Sequence, residues 1–369
     1  MPRAPLPTAR SGRLRRWALH DILQDMNLLN RTLVALLMVL GVSGCSKRES
    51  APKSGAPGSA AFEQLELRYQ GFVGTVLYPE LAEDLGYLAP IKLKYVGNTI
   101  SGPQDIQSVV TGDTDYGGAF DGAVIKLVAA KAPVKAVIGY YGVDEETYQG
   151  IYVLGDGPIH GARDLIGKKV AVNTVGAHGE FVLREYLSRN GLSKAEAEQV
   201  TLVVVPPVVS EQALRQKQVD ATMLNNVLRD KAIERGNVRK LFSDFEMFGK
   251  FTAGSYVFSK SFLQDKPNTA RKFVEATAKA IEWARSHPRE EVIARFEAII
   301  KRRARNEDAS TIKYWRTTGI ALKGGLIADR EFQIWLDWLI KDGQLSRDQL
   351  KLSDIFTNEL NPFLGTGPT

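Results

Sequence analysis

From Phe62 onward the chain alternates between two hydrophobic periods. Leu65–Tyr69 and Ile91–Tyr95 place apolar residues at every second position, the period of a half-buried strand. Between them Val76, Leu77, Leu81 and Leu85 recur at helical spacing and stop at Gly86. Ser101 as N-cap and Pro103 in the first turn open a second helix, and Gly112 closes it. TDYGGAF then predicts a short strand, DGAVIKLVAAKA a helix and VKAVIGYY a strand apolar on both faces. The pattern restarts with strands at Gly150–Leu154 and Lys168–Val172. An amphipathic helix follows in AHGEFVLREYLSRNG, with Gly191 as its C-terminal cap. VTLVVV predicts a buried strand closed by Pro206-Pro207, SEQALRQKQ a helix, DATML a strand, VLRDKAIERG a helix and Gly254–Lys260 the last strand. Beyond it helices are expected over Thr269–Ser286, Arg289–Arg302, Thr311–Thr318 and Glu331–Lys341. Trp283, Trp315, Trp335 and Trp338 are spaced there for packing between helices rather than for ligand contact. Short apolar strands separated by helices predict parallel pairing in an α/β architecture. The stretch after Phe62 is long enough for two domains.

The segment before this body has a different character. Arg31 precedes an apolar run, Leu33–Val42, and small residues follow it up to Cys45, the chain's single cysteine. The run is about half of the ~20 residues that a membrane-spanning helix needs, and its flanks are those of a secretory signal. Val42-Ser43-Gly44-Cys45 looks like a bacterial lipobox, so residues 1–44 are expected to be a signal peptide and Cys45 the site of lipidation. Arg10, Arg13, Arg15 and Arg16 make a long basic lead, and a start at Met26 gives a signal of ordinary length. Residues 45–61, rich in Ser, Gly, Ala and Pro, are expected to form a flexible tether. About 16 such residues span roughly 20–24 Å.

Composition adds mainly exclusions. The leader holds six Arg and two Asp, which accounts for four of the six net positive charges, so the body is nearly balanced. The basic run Lys301–Arg305 is expected to be a solvated helix end, and no nucleic-acid partner is expected. GARDLIGKK is one residue too long for a phosphate-binding loop, and Lys169 stands where such a loop needs Ser or Thr. The His and Cys residues are not spaced as metal ligands, so neither a metal nor a cofactor is expected.

Four blocks carry a family resemblance: LAEDLGYL; VVTGDTDYGGAFDGAVIKLVAAKAPVKAVIGYY; ARDLIGKKVAVNTVGAHGEFVLREYLSRNGL; and ALRQKQVDATMLNN. In this order they resemble the nitrate/sulfonate/taurine-type substrate-binding proteins of ABC importers, a group also similar to thiamine-pyrimidine synthases and pyrimidine-precursor binders. Gly112-Asp113-Thr114-Asp115, Asp164–Val172 and Val219-Asp220-Ala221 match the family's recurrent motifs. The resemblance implies a bilobal periplasmic-binding-protein fold (type II), two α/β lobes joined by two crossing segments. Lobe I would comprise 62–149 and 255–369, and lobe II 150–254. It further implies a monomeric solute receptor, lipid-anchored on the periplasmic or extracellular face of a membrane. Its partners would be a small-molecule ligand and the permease and ATPase subunits of the importer. A non-transporting sensor, or an enzyme in which His178 supplies chemistry, is the alternative. Gly117–Asp121 lacks the small hydroxyl residues that the family often has there, which argues against a simple sulfonate.

In an open α/β sheet ligands sit beyond the carboxyl ends of strands, where helix N-termini converge. That rule selects Gln70 and Phe72 after the first strand, Asn98 and Ser101 after the second, and Gly118, Phe120 and Asp121 around the third. Asn173, Thr174 and His178 open the first helix after the restart. Tyr141 is a candidate aromatic contact, and Asn225, at the end of DATML, completes the set. Ser101, Asp121 and Asn173 are equally suited to helix capping.

Overall fold

The computed structural model describes residues 61–365. The expected leader, Cys45 and nearly all of the tether lie outside the described residues. The chain opens with β1 (Glu66–Gly71), α1 (Tyr78–Asp84), β2 (Lys92–Asn98), α2 (Gly102–Thr111), β3 (Tyr116–Phe120), α3 (Asp121–Ala129) and β4 (Val134–Val143). It continues through β5 (Gln149–Leu154), β6 (Lys169–Val172), α4 (His178–Arg189), α5 (Lys194–Glu198), β7 (Thr201–Val204), α6 (Pro207–Arg215), β8 (Ala221–Asn225), α7 (Asn226–Glu234), β9 (Val238–Ser243) and α8 (Asp244–Phe248). After β10 (Phe251–Ser259) come α9 (Lys260–Asp265), α10 (Pro267–Ser286), α11 (Arg289–Arg303), α12 (Asp329–Lys341) and α13 (Leu352–Ile355).

The strands form three sheets: β1-β2, β3-β10-β4 and β7-β6-β8-β5-β9. All five strands of the third sheet come from one continuous stretch, 149–243. Parallel pairing holds for β1·β2, β6·β7 and β6·β8, as the strand–helix alternation predicts. It fails for β10, which returns from the third sheet and inserts antiparallel between β3 and β4. It also fails for β5, antiparallel to both β8 and β9. Hydrophobic period sets which face a strand buries, not which way its neighbour runs, so these reversals have no local signature.

Three further expectations change. The VTLVVV strand, β7, is an edge strand and not a buried one: Thr201 and Val204 are exposed. Thr311–Thr318 is a 3-10 turn over Ala309–Tyr314 followed by extended chain. The basic run at 301–305 is only partly solvated. Helix α11 ends at Ala304, whose left-handed φ of 49° turns Arg305 back under the β1–α1 loop.

There the buried Glu80 carboxylate accepts from the Tyr69 hydroxyl (2.6 Å), the Leu77 amide (2.9 Å), Arg303 Nη1 (2.8 Å) and Arg305 Nη1 (3.0 Å). Arg303 also pairs with Glu307, whose carboxylate accepts from the Gly74 amide (3.2 Å). The loop between β1 and α1 is thus fixed to the segment after α11 by paired charges. Charges taken out of water in this way hold only while each keeps its partner. Arg303→Ala, which leaves Glu80 short of a partner and Glu307 unpaired, is therefore expected to destabilise by about 3–5 kcal/mol. A lowered denaturant midpoint at unchanged m-value checks this; a loss below about 1 kcal/mol, the ordinary value of an exposed pair, would contradict it.

Candidate functional site

A cavity of about 630 Å³ lies between the β3-β10-β4 sheet and the helix-bearing ends of the five-stranded sheet. Its floor is aromatic. Tyr140 and Tyr256, on the neighbouring strands β4 and β10, stack with centroids 4.1 Å apart, and Tyr141 meets Tyr140 edge-on at 4.9 Å. Glycine on the adjoining backbone is what lets these rings lie flush. A Cβ on Gly118 of β3 would come within 2.7 Å of Tyr140 and 2.9 Å of Tyr256, and one on Gly254 of β10 would overlap Tyr141.

The first walls are the β1–α1 loop with Phe72, the start of α1 with Tyr78, and the β2–α2 turn with Thr99 and Ile100, continued by Pro103 of α2. Facing them are the first residues of α4, α6 and α7, together with Asn173 after β6. Helix N-termini carry partial positive charge, so this side favours a polar or anionic group. Trp315 closes a third side. Of the four tryptophans it alone lines the cavity, while it also packs against Phe296 at 5.8 Å in the expected way; Trp335 is fully buried against Phe120 at 4.7 Å.

His178, the first residue of α4, is the most constrained polar group here. Its ring stacks nearly parallel on that of Phe120, with centroids 4.6 Å apart. Nδ1 lies 2.9 Å from Gln149 Nε2 and 3.5 Å from the Tyr141 hydroxyl, and Nε2 lies 3.2 Å from Asp244 Oδ2. Asp244 is fully buried, and its Oδ1 accepts from the amides of Gln149 (3.0 Å) and Phe245 (2.8 Å). In the neutral ring Nδ1 accepts from the Gln149 amide group, which puts the ring proton on Nε2, facing the Asp244 carboxylate without a hydrogen bond of ordinary geometry. Arg229, by contrast, is committed elsewhere. It donates to the carbonyls of Tyr148 (3.1 Å) and Glu146 (2.7 Å) and to Asp230 (2.7 Å), and lies over the Tyr148 ring.

Of the residues selected from sequence, Phe72, Phe120, Tyr141, Asn173, His178 and Asn225 line this cavity. Asn173 Nδ2 donates to the Ile100 carbonyl (3.3 Å), bridging the mouth. Gln70, Asn98, Ser101, Gly118, Asp121 and Thr174 do not line it. Gln70 faces Ser108 (3.4 Å), Asn98 ends β2 in solvent, and Ser101 caps α2 by accepting from the Gln104 amide (3.4 Å). Gly118 is covered by the tyrosine rings, and the Thr174 hydroxyl turns to the Val175 carbonyl (3.4 Å). Asp121 is fully buried as the first residue of α3 and makes no capping hydrogen bond. Tyr140, Tyr256, Gln149 and Trp315 were not selected. The available signal was a glycine on one strand placed to accept a ring from the next, visible only once the pairing is known.

Two buried carboxyls stand behind the floor. Burial pushes Asp105 up to about 7, against the pull of the Gly118 amide that donates to it at 2.7 Å. Burial likewise pushes Asp121 well above the usual carboxylate range, with Ser255 drawing it weakly the other way.

The chain matches the family model described as NMT1/THI5 like over residues 81–291. No curated protein matches it in sequence. It is similar in structure to the alkanesulfonate-binding protein SsuA from Xanthomonas axonopodis pv. citri bound to MOPS, with a TM-score of 0.62 and 18% identity over 81% of this chain and 100% of that one. It is also similar to the periplasmic nitrate-binding protein NrtA from Synechocystis PCC 6803, with a TM-score of 0.62 and 14% identity over 81% and 88%. A third likeness is to the desulfurization enzyme DSZB, with a TM-score of 0.55 and 17% identity over 80% and 97%. The α/β architecture is that of periplasmic binding proteins, as the sequence blocks imply.

Asp105 supplies a pH test. Its carboxyl is protonated more readily in the folded chain than in the unfolded one, where an aspartate titrates near 3.8. The folded state therefore holds the extra proton between pH 4 and 7, and stability falls as pH rises through that window. Asp105→Asn keeps an acceptor for the Gly118 amide and cannot ionise. Wild type is expected to lose on the order of 3–4 kcal/mol relative to this variant between pH 4 and 7, at about 1.4 kcal/mol per unit. Denaturant titrations at each pH measure it, and parallel stability curves would contradict it.

Proposed function

Because the chain belongs to the NMT1/THI5-like family, we propose that it is the solute-binding component of an ABC import system, outside the cytoplasm and anchored by an acyl group on Cys45. The observation that carries this reading is the cavity, whose walls come from both the β3-β10-β4 sheet and the five-stranded sheet. On this proposal 62–149 with 255–369 forms one lobe and 150–254 the other, and they swing about the two stretches that connect them. Ligand favours the closed state because only that state makes both sets of contacts. Its polar end lies toward the starts of α4 and α7, and its apolar or aromatic body rests on the tyrosine floor. The chain then acts as a monomer that presents the closed form to a permease served by an ATPase, and it catalyses no reaction.

The relatives' named ligands, an alkanesulfonate and nitrate, define the first compounds to try. A second reading, acid–base catalysis, is favoured by the Asp244–His178–Tyr141 grouping and by the likeness to a desulfurization enzyme. Turnover of a bound compound, absent in His178→Ala, would support it over transport.

Calorimetry with sulfonates, sulfate esters, nitrate, pyrimidines and amines tests the site. For whichever compound binds, Phe120→Ala and His178→Ala are expected to weaken affinity about tenfold or more, since each removes a desolvated contact worth upward of about 1.4 kcal/mol. Thr174→Ala is expected to change it less than twofold. Unchanged affinity in the first two would remove the ligand from this cavity. The anchor is tested separately: labelled fatty acid should enter wild-type chain and not Cys45→Ser, and equal labelling of both would exclude acylation at Cys45.

A further inference from the structure

The lining of the cavity changes character from one end to the other. Its Asp, Glu, Lys and Arg residues are Glu146 in the β4–β5 connection, Arg229 and Lys231 on α7, and Asp308 and Arg316 in the segment after α11. The end bounded by the β1–α1 loop, the β2–α2 turn and the start of α6 has none among the described residues. There Val73 and Ile100 lie on one wall and Val205, Pro206, Pro207 and Val208 on the other. Two bonds bring these walls together at the mouth. Asn173 donates to the Ile100 carbonyl (3.3 Å), and the Val205 amide donates to the carbonyl of Val172 (2.9 Å), the residue before Asn173.

The start of α6 is unlike those of α4 and α7. A helix ordinarily opens with four amide donors free. Here the N-cap and the first helical residue are Pro206 and Pro207, which have no N–H, and the Val209 amide donates to the Pro206 carbonyl (3.1 Å). The hydroxyls nearby also face inward to the backbone: Ser210 donates to the Pro207 carbonyl (2.8 Å) and Thr99 to the Ser101 carbonyl (3.0 Å). Little is left at this end for a polar group to bind. Yet Val73, Ile100 and Val208 are 48%, 46% and 60% exposed while lining the cavity. A single exposed apolar side chain is ordinary, whereas several around one opening mark a surface that something apolar covers. A cavity of about 630 Å³ is also of the size that encloses a drug-sized molecule rather than an ion of a few atoms.

We propose that this end of the cavity is a subsite for an apolar tail, so that the solute is an elongated amphiphile. Its polar head lies at the starts of α4 and α7, its body on the tyrosines, and its aliphatic tail between Val73, Ile100 and Val208. This rests on the reading of the chain as a solute-binding protein and names the class of solute. The tail is continuous with the cavity that holds the rest of the molecule, and it removes from water the apolar side chains that folding leaves half exposed.

Calorimetry on the purified full-length chain tests this with two series, straight-chain sulfonates and straight-chain alcohols, each as the butyl, hexyl and octyl compound. In at least one series affinity is expected to rise about two- to fourfold per added methylene, so that octyl binds at least tenfold more tightly than butyl. Val208→Asn and Ile100→Asn should each cut that octyl-to-butyl ratio about threefold or more. Val96→Asn, at a residue that is exposed but outside the cavity lining, should leave the ratio as in wild type. If the rim residues only meet one another when the lobes close, both rim variants weaken butyl and octyl alike and the ratio stands. That result, affinity flat with chain length in both series, or no binding by either series would overturn the inference. Another compound of the wider panel binding in place of these would leave the solute-binding reading standing, whereas failure of every compound would count against that reading itself.

Discussion

The arrangement depends on strand β10 and its antiparallel pairing with both β3 and β4. The chain leaves β4 at Val143, builds a complete five-stranded sheet from 149–243, and returns as β10 between the strands it left. Every residue of β10 but the last is buried, and its register sets Gly254 opposite both Phe120 and Tyr141. That one pairing makes 149–243 an excursion with two connections to the rest, and it positions the tyrosines of the floor. The glycine at 254 and the glycine at 118 are the local cost of the register: weak strand formers, kept where a ring must lie against the backbone.

The polar groups of the site follow from the same pairing. Gln149, at the first connection, donates its backbone amide to the carboxylate of Asp244, at the second, and both side chains approach His178. The imidazole is thus oriented by the two stretches about which the proposed lobes would move. On the proposed closure, rotation there would change what His178 presents to the cavity, which would give binding and closure a common physical origin. On the opposite side the quartet of Glu80, Glu307, Arg303 and Arg305 ties the Phe72 loop to the segment after α11.

Much of this was legible in the residues. The strand and helix periods placed most elements, Ser101 capped the helix it was expected to cap, and four ordered blocks pointed to the family and the fold. The site was half legible: the strand-end rule found Phe72, Phe120, Asn173, His178 and Asn225, because those ends do converge. It failed for Gln70, Asn98, Thr174 and Asp121 because proximity to a strand end does not say which way a side chain turns. Tyr140 and Tyr256 were missed because their partner glycines lie on other strands. Asp244 lies 66 residues from His178 and meets it only through the fold. Arg303 and Arg305 look like a solvated basic run until the left-handed turn at Ala304 folds the second of them inward.

The proposed receptor is two-lobed and closes on its solute. Spin labels at Val96 and Val209, both exposed and both outside the cavity lining, report the separation directly in a Cys45→Ser background. Saturating ligand should shift the distance distribution to shorter values and narrow it. A distribution that stays the same, with binding verified on the same sample, would contradict closure.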